Sequence, residues 1–380
     1  MRISGEPFNI QKSEKKSFTI AETVNTIIKK IRDAKRILNE NTLIVIDAIR
    51  NPLEAFFFQE RYSSFYLIAI STPEEQREAR LRKLGYTDKD IKRIDKKEYN
   101  TKELNEISAY SIQDIQACLQ RADIYIHNPD EESKVTEFKG LANQIIRFVI
   151  LMKRPGIITP TPIERCMQLA YTAKLNSGCI SRQVGAAITD SNFSIQAIGW
   201  NDAPYGQVPC NLRNRFDLEN GHDTNAYSEF ERTNEKYIKH FKAESIKFKE
   251  IENSSRNISF CFKSEYNSFT KIKNQVHTRS LHAEENAFLQ LSKYGGRGIY
   301  NGFLFTTASP CELCSKKAYQ LGIKKIFYID PYPGIAISHI LHGGSNNPEL
   351  ILFSGAIGRA FHSLYMPVTP YKDELSAYIQ

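Results

Sequence analysis

Apolar and polar positions change period several times along the first 150 residues. Thr42-Leu-Ile-Val-Ile-Asp47 is a β-branched apolar run followed by turn chemistry in Ala48-Ile-Arg-Asn-Pro52, which predicts a buried strand. Glu54 to Glu60 suits a short helix, and Phe65-Tyr-Leu-Ile-Ala-Ile70 repeats the strand pattern. Ser71-Thr-Pro-Glu-Glu-Gln-Arg then opens a helix, with Thr72 as N-cap and Pro73 at the first helical position. Ala122-Asp-Ile-Tyr-Ile126, ended by His127-Asn-Pro, is a third strand. Strands alternating with helices predict a parallel sheet with crossover helices. The charge-rich residues 79 to 106 between them are expected as a helical lid or solvated helices.

From Glu137 to Met152, Phe138, Leu141, Ile145, Ile146 and Val149 recur at helical spacing, and Pro155 and Thr159-Pro-Thr-Pro162 break the pattern. This places a boundary between domains spanning 1–155 and 156–380. The second begins with a Pro-marked helix, Ile163 to Leu175, and continues as strands Val184 to Ile188 and Ser194 to Trp200 joined by an Asp190-Ser-Asn turn. Further strands are predicted at Gly302 to Thr307 and Lys325 to Ile329. Residues 211–280 are more polar and keep no single period, so they read as an insertion, helical around Ala226 to Ala243.

Length agrees with two domains, since 380 residues exceed the roughly 100–200 of a single one. With 41% apolar and 25% charged residues, the composition is that of a globular protein. No apolar run approaches the roughly 20 residues that cross a bilayer, so membrane insertion is not expected. The first twenty residues carry charges where a secretion signal has a continuous apolar stretch, so the expectation is cytoplasmic. Seven cysteines, an odd number without dense spacing, suit reduced thiols or metal ligands. A net charge of +8 favours an anionic partner such as nucleotide phosphate or RNA; Lys-rich solvated faces account for it equally well.

Two segments carry the chemistry, Leu281-His-Ala-Glu-Glu-Asn-Ala-Phe288 and Ser309-Pro-Cys-Glu-Leu-Cys314. Cys311 and Cys314, three apart at the start of a helix, share one face above the positive end of its dipole, which suits thiolates. A C-x-x-C alone fits a structural zinc knuckle or a redox pair as well. With His282 it makes three ligands and an open fourth position, as a catalytic zinc needs, and Glu284 stands beside that position. A structural site would need a fourth protein ligand and would have no use for the carboxylate. Together the segments match the H-x-E…P-C-x-x-C signature of zinc nucleobase deaminases, which implies a cytidine-deaminase-like three-layer α/β/α domain, zinc as cofactor and Glu284 as the catalytic proton carrier. Glu285 reads as a surface or helix-capping residue.

Asn176-Ser-Gly-Cys-Ile-Ser-Arg-Gln-Val-Gly-Ala-Ala-Ile188 and Gly199-Trp-Asn-Asp-Ala-Pro-Tyr-Gly206 resemble the early segments of the deoxycytidylate deaminase family. The resemblance places Arg182 near substrate phosphate and Asn201 near the sugar; a surface charge and a turn former are the alternatives. Gly-Trp-Asn-Asp stands where Gly-Tyr-Asn-Gly is more usual, which puts that family's allosteric nucleotide response in question. Tyr332, in Ile329-Asp-Pro-Tyr-Pro-Gly334, either stacks on the base or packs. Cys179, Cys210 and His277 are a candidate second, structural zinc site, as in some members of the family.

Val45-Ile-Asp-Ala-Ile-Arg-Asn-Pro52, Ile70-Ser-Thr-Pro-Glu-Glu-Gln-Arg77 and Ala122-Asp-Ile-Tyr-Ile-His-Asn128 resemble the second half of a P-loop nucleotide-kinase fold. No G-x-x-x-x-G-K-[ST] occurs, so kinase activity is not expected: either the domain has lost its phosphate loop or the chain begins after it. A partial P-loop-kinase-like α/β domain before a deoxycytidylate deaminase resembles the bacterial anti-phage deoxycytidine-nucleotide deaminases. That implies conversion of dCMP, dCTP or both to the uracil nucleotides, depletion of dCTP, restraint by a small RNA in some members, and a homo-oligomer. The alternative is a nucleic-acid deaminase acting on tRNA or single-stranded DNA, for which the basic charge and the Phe/Tyr-rich insertion would form the channel.

Overall fold

The computed structural model describes residues 18–98, 113–128, 139–252, 256–295, 298–330 and 336–379. The chain forms two units, one of residues 1–160 with 354–380 and one of residues 161–353.

The first unit opens with helices α1 (Thr19–Ile37) and α2 (Pro52–Arg61). Asn51 caps α2, its side chain accepting from the Leu53 amide at 2.8 Å, and Pro52 follows where a missing N–H costs nothing. Ala21 and Ile28 of α1 meet Phe57 and Phe58 of α2 in one apolar cluster, which Ile44, Ile46 and Ile49 flank. Strand β1 (Ile68–Ser71), helices α3 (Glu74–Lys83), α4 (Asp88–Glu98) and α5 (Ile115–Leu119), strand β2 (Ile124–His127) and helix α6 (Lys139–Lys153) follow. β1 and β2 pair in parallel, Ile68 opposite Ile124, as the alternating pattern predicted. Thr42–Asp47 differs from expectation, being no strand, with Leu43 69% and Val45 84% exposed. Its β-branched composition was right for a strand, but strand identity needs a partner, and the sheet order of the first unit does not include it.

The second unit begins with α7 (Pro162–Ala173), started by a capping box between Thr161 and Glu164. Strands β3 (Gly185–Thr189) and β4 (Ile195–Trp200) form the predicted hairpin. The insertion supplies helices α8 (Arg215–Asn220), α9 (Glu229–Thr233), α10 (Glu235–Ser245) and α11 (Phe262–Thr270). Then come α12 (Ala283–Tyr294), β5 (Phe303–Ala308), α13 (Glu312–Gln320), β6 (Lys325–Asp330) and β7 (Glu349–Leu352). The five strands lie in the order β4-β3-β5-β6-β7, antiparallel from β4 to β5 and parallel from β5 to β7.

Strand periodicity sorts the helices onto two faces. Ala186, Gly199 and Thr306 are register partners, so their side chains share one face, and Ala186 packs with Ala283 and Ala287 of α12 on that side. Gly185, one residue earlier, points the other way, where a Cβ would stand 2.0 Å from the Ala170 carbonyl of α7. A Cβ on Gly199 would meet the Ala283 carbonyl oxygen and Ala287 nitrogen at 2.4 Å, so only glycine lets α12 approach β4 this closely. The result is three layers, α7, sheet and α12, within residues 161–353.

The insertion has a core of its own. Tyr227, Tyr237, Phe241 and Phe260 are buried together, and within this cluster Arg213 pairs with Glu231 while Arg215 pairs with Glu265. The Arg213 guanidinium also lies 4.6 Å from the Phe260 ring centre.

Beyond β7 the chain returns to the first unit. Strand β8 (Gly355–Ala356) pairs antiparallel with β2, and α14 (Gly358–Tyr365) precedes α15 (Tyr371–Ile379). Ala356, Ala360 and Leu364 join Ile124, Ile126, Phe148 and Leu151 in one buried cluster. Residues 354–380, expected in the second domain, thus complete the core of the first.

Candidate metal centre and active site

The loops after β5 and before α12 bring the two motifs together. His282 is the N-cap of α12, and Cys311 is the N-cap of α13 with Cys314 in its first turn. The approach to Cys311 is fixed by Ser309, whose amide donates to the Asp330 carbonyl at 2.9 Å at the ends of the parallel strands β5 and β6. Glu285 caps α12 through the His282 amide at 3.4 Å and pairs with Lys317, so one carboxylate links both helices that carry the motif.

The Nδ1 atom of His282 lies 3.3 Å from Cys311 Sγ and 3.5 Å from Cys314 Sγ, and the three donor atoms lie within 4.8 Å of one another. Ligands at the usual Zn–S and Zn–N lengths around a tetrahedral ion stand about 3.6 Å apart, so the set fits zinc. Among the described residues no fourth His, Cys, Asp or Glu joins the group. Three protein ligands of this kind are the pattern of a catalytic site. The protons of the three donors show the same convergence. Hydrogen bonds from Cys314 and His282 hold the Cys311 thiol down to about 3, while donation to Cys311 and burial push the Cys314 thiol up. Bonding to Cys311 raises His282.

Glu284, in the first turn of α12, is 4% exposed, and burial raises its carboxyl. Its Oε1 lies within hydrogen-bond distance of Thr306 Oγ1, at 3.1 Å. A buried carboxyl whose pKa burial raises, beside a metal-binding group, is the kind of group that serves in general acid–base chemistry.

The remaining predicted residues fare differently. Arg182 is ion-paired with Asp330, which is itself 2% exposed. Asn201 uses both ends of its amide on backbone: Oδ1 accepts from the Val184 amide at 2.6 Å and Nδ2 donates to the Arg182 carbonyl at 2.7 Å. It therefore fixes the segment that carries Arg182. Cys179, Cys210 and His277 do not form a metal-binding group: Cys210 Sγ lies 3.9 Å from Arg279 Nη1 and His277 packs 4.5 Å from the Tyr266 ring. Tyr332 lies outside the described residues. Sequence reasoning passed over Thr306 and Asp330. The available signal was a hydroxyl inside the apolar strand Phe303–Ala308 and a carboxylate closing the next strand.

A His/Cys/Cys donor set with a glutamate two residues after the histidine is the pattern of the zinc nucleobase deaminases. Residues 160–330 match the family model described as the cytidine and deoxycytidylate deaminase zinc-binding region. The chain is 30% identical over 169 residues to the deoxycytidylate deaminase of Enterobacteria phage T4, covering 44% of this chain and 76% of that protein. It is 27% identical over 178 residues to the deoxycytidylate deaminase of Schizosaccharomyces pombe, covering 47% of this chain and 40% of that protein. The solved dCMP deaminase of cyanophage S-TIM5 in complex with dCMP and dUMP is 22% identical, with a TM-score of 0.31, covering 52% of this chain and 99% of that one. The chain belongs to the deoxycytidylate deaminase family.

Proposed function

We propose that the second unit deaminates deoxycytidine nucleotides, dCMP, dCTP or both, to the deoxyuridine nucleotides, with zinc held by His282, Cys311 and Cys314. The observation that carries this reading is the three-donor cluster with Glu284 buried beside it. Bound zinc supplies the charge that lowers the pKa of water from about 15.7 towards about 7. Glu284 takes the proton of the attacking water, passes it to ring N3, and later carries a proton to the amine, which departs as ammonia while the water oxygen becomes the new carbonyl. The family resemblance assigns Arg182 to the phosphate side, and its ion pair with Asp330 and the Asn201 bond to its backbone fix its position. The sequence resemblance of both halves to bacterial anti-phage deaminases supports a role in depleting dCTP, restraint by a small RNA, and homo-oligomeric assembly in the cytoplasm. Among the described residues no helix is long and apolar enough to cross a membrane.

The test is deamination of dCMP, dCTP, CMP, CTP and a cytosine-containing oligonucleotide by zinc-loaded protein, chelated protein and Glu284→Gln. Uracil nucleotide from the loaded wild type, falling at least about 100-fold in the variant and on chelation, is expected. Turnover of the oligonucleotide alone would move the substrate to nucleic acid, and undiminished turnover by Glu284→Gln would remove that residue from the chemistry.

A further inference from the structure

Strand β5 is buried along its whole length, so each polar atom on it needs a partner. Thr306, fully buried, stands on the α12 face of the sheet, in register with Ala186. Its Oγ1 lies 2.7 Å from the Ala308 carbonyl of its own strand and 3.1 Å from Glu284 Oε1. The hydroxyl has one proton: donated to the Ala308 carbonyl, the shorter contact, it anchors the side chain to rigid backbone, and Oγ1 then accepts from the Glu284 carboxyl when that group carries its proton. A terminal carboxyl rotates over a broad torsional well, so burial alone does not fix which way its oxygens face. The geometry points to Thr306 as a positioning residue, whose hydroxyl holds the Glu284 carboxyl in the orientation that proton transfer requires. This rests on the reading of Glu284 as the proton carrier.

The alternative is that Thr306 merely satisfies Ala308 and fills space. Valine keeps the shape and removes the hydroxyl, and serine keeps the hydroxyl, so the two variants separate the roles. Steady-state kinetics on dCMP and dCTP would be run on the full chain carrying Thr306→Val, Thr306→Ser or Glu284→Gln, with zinc content and melting temperature measured on each. Thr306→Val is expected to lower kcat about 10- to 100-fold with KM within about twofold and zinc content unchanged, a scale set by small misplacements of reacting groups. Thr306→Ser is expected to recover kcat to within about threefold of wild type, as a correctly placed hydroxyl requires. A wild-type kcat in Thr306→Val would overturn the proposal, as would Thr306→Ser behaving like valine or a kcat loss that follows zinc loss. Should Glu284→Gln retain full activity, the underlying reading fails, an outcome separable from failure of Thr306.

Discussion

Two cysteines three residues apart carry opposite proton demands, because one hydrogen-bonded sulfur serves as acceptor for the other. With its pKa lowered to about 3, Cys311 is a thiolate at neutral pH, whereas burial raises the Cys166 thiol to about 11 and keeps it protonated. The thiolate is the nucleophile, so the two differ sharply in reactivity. Chelated protein treated with iodoacetamide at pH 7 is therefore expected to be alkylated at Cys311 and spared at Cys166. Zinc should protect Cys311. Peptide mapping with and without metal checks this, and modification of Cys166 before Cys311 would contradict it. At this scale the sequence was informative where a site is local: H-x-E and C-x-x-C each lie within a turn of helix or its cap, so spacing alone sets their geometry. Thr306 meets Glu284 only through the register of β3 with β5 and the seating of α12, which no local pattern expresses.

Helix α12 is seated by the absence of a side chain. An alanine at 199 would place its Cβ 2.4 Å from backbone atoms of α12, which cannot move aside as a flexible side chain would. Gly199→Ala is expected to cost at least about 1–3 kcal/mol, the usual scale for overpacking, and to weaken zinc retention because the displaced helix starts at His282. Thermal melts with zinc titration measure both effects. The insertion makes a different demand on its residues. Arg213 and Glu231 are 0% and 1% exposed, so Glu231→Ala leaves a buried guanidinium unpaired, at about 3–5 kcal/mol. Replacing both by apolar residues of similar volume should recover most of that loss, and a double-mutant cycle in denaturant separates the two cases. The sequence marked this region as polar and without period, since its apolar residues come from short, separately capped helices. Their shared core is visible only once they fold back on each other. The run Thr42–Asp47 shows the converse, a strong local strand signal with no partner strand among the described residues.

On the scale of the whole chain, the second unit is inserted into the first. Turn chemistry at Pro155 to Pro162 indicated one crossing, now placed at residue 160. Nothing comparable marked the other, because Ser354-Gly-Ala-Ile-Gly358 reads as a loop whether it leads outward or home. A fragment of residues 161–353 contains all four motif residues and the five strands of their sheet, and is expected to bind zinc and melt cooperatively. A fragment of 156–380 carries in addition Ala356, Ala360 and Leu364 with no core to enter, and should be the more aggregation-prone. Size-exclusion chromatography of the two would reveal the difference. The same nesting sets a schedule for synthesis. At about 5–20 residues per second, the ribosome needs roughly ten to forty seconds to pass from residue 160 to Leu364. Throughout that interval Ile124, Ile126 and Phe148 lack the residues that cover them in the finished protein. The inserted unit can close its own sheet meanwhile, so the unit begun first is expected to complete its core last.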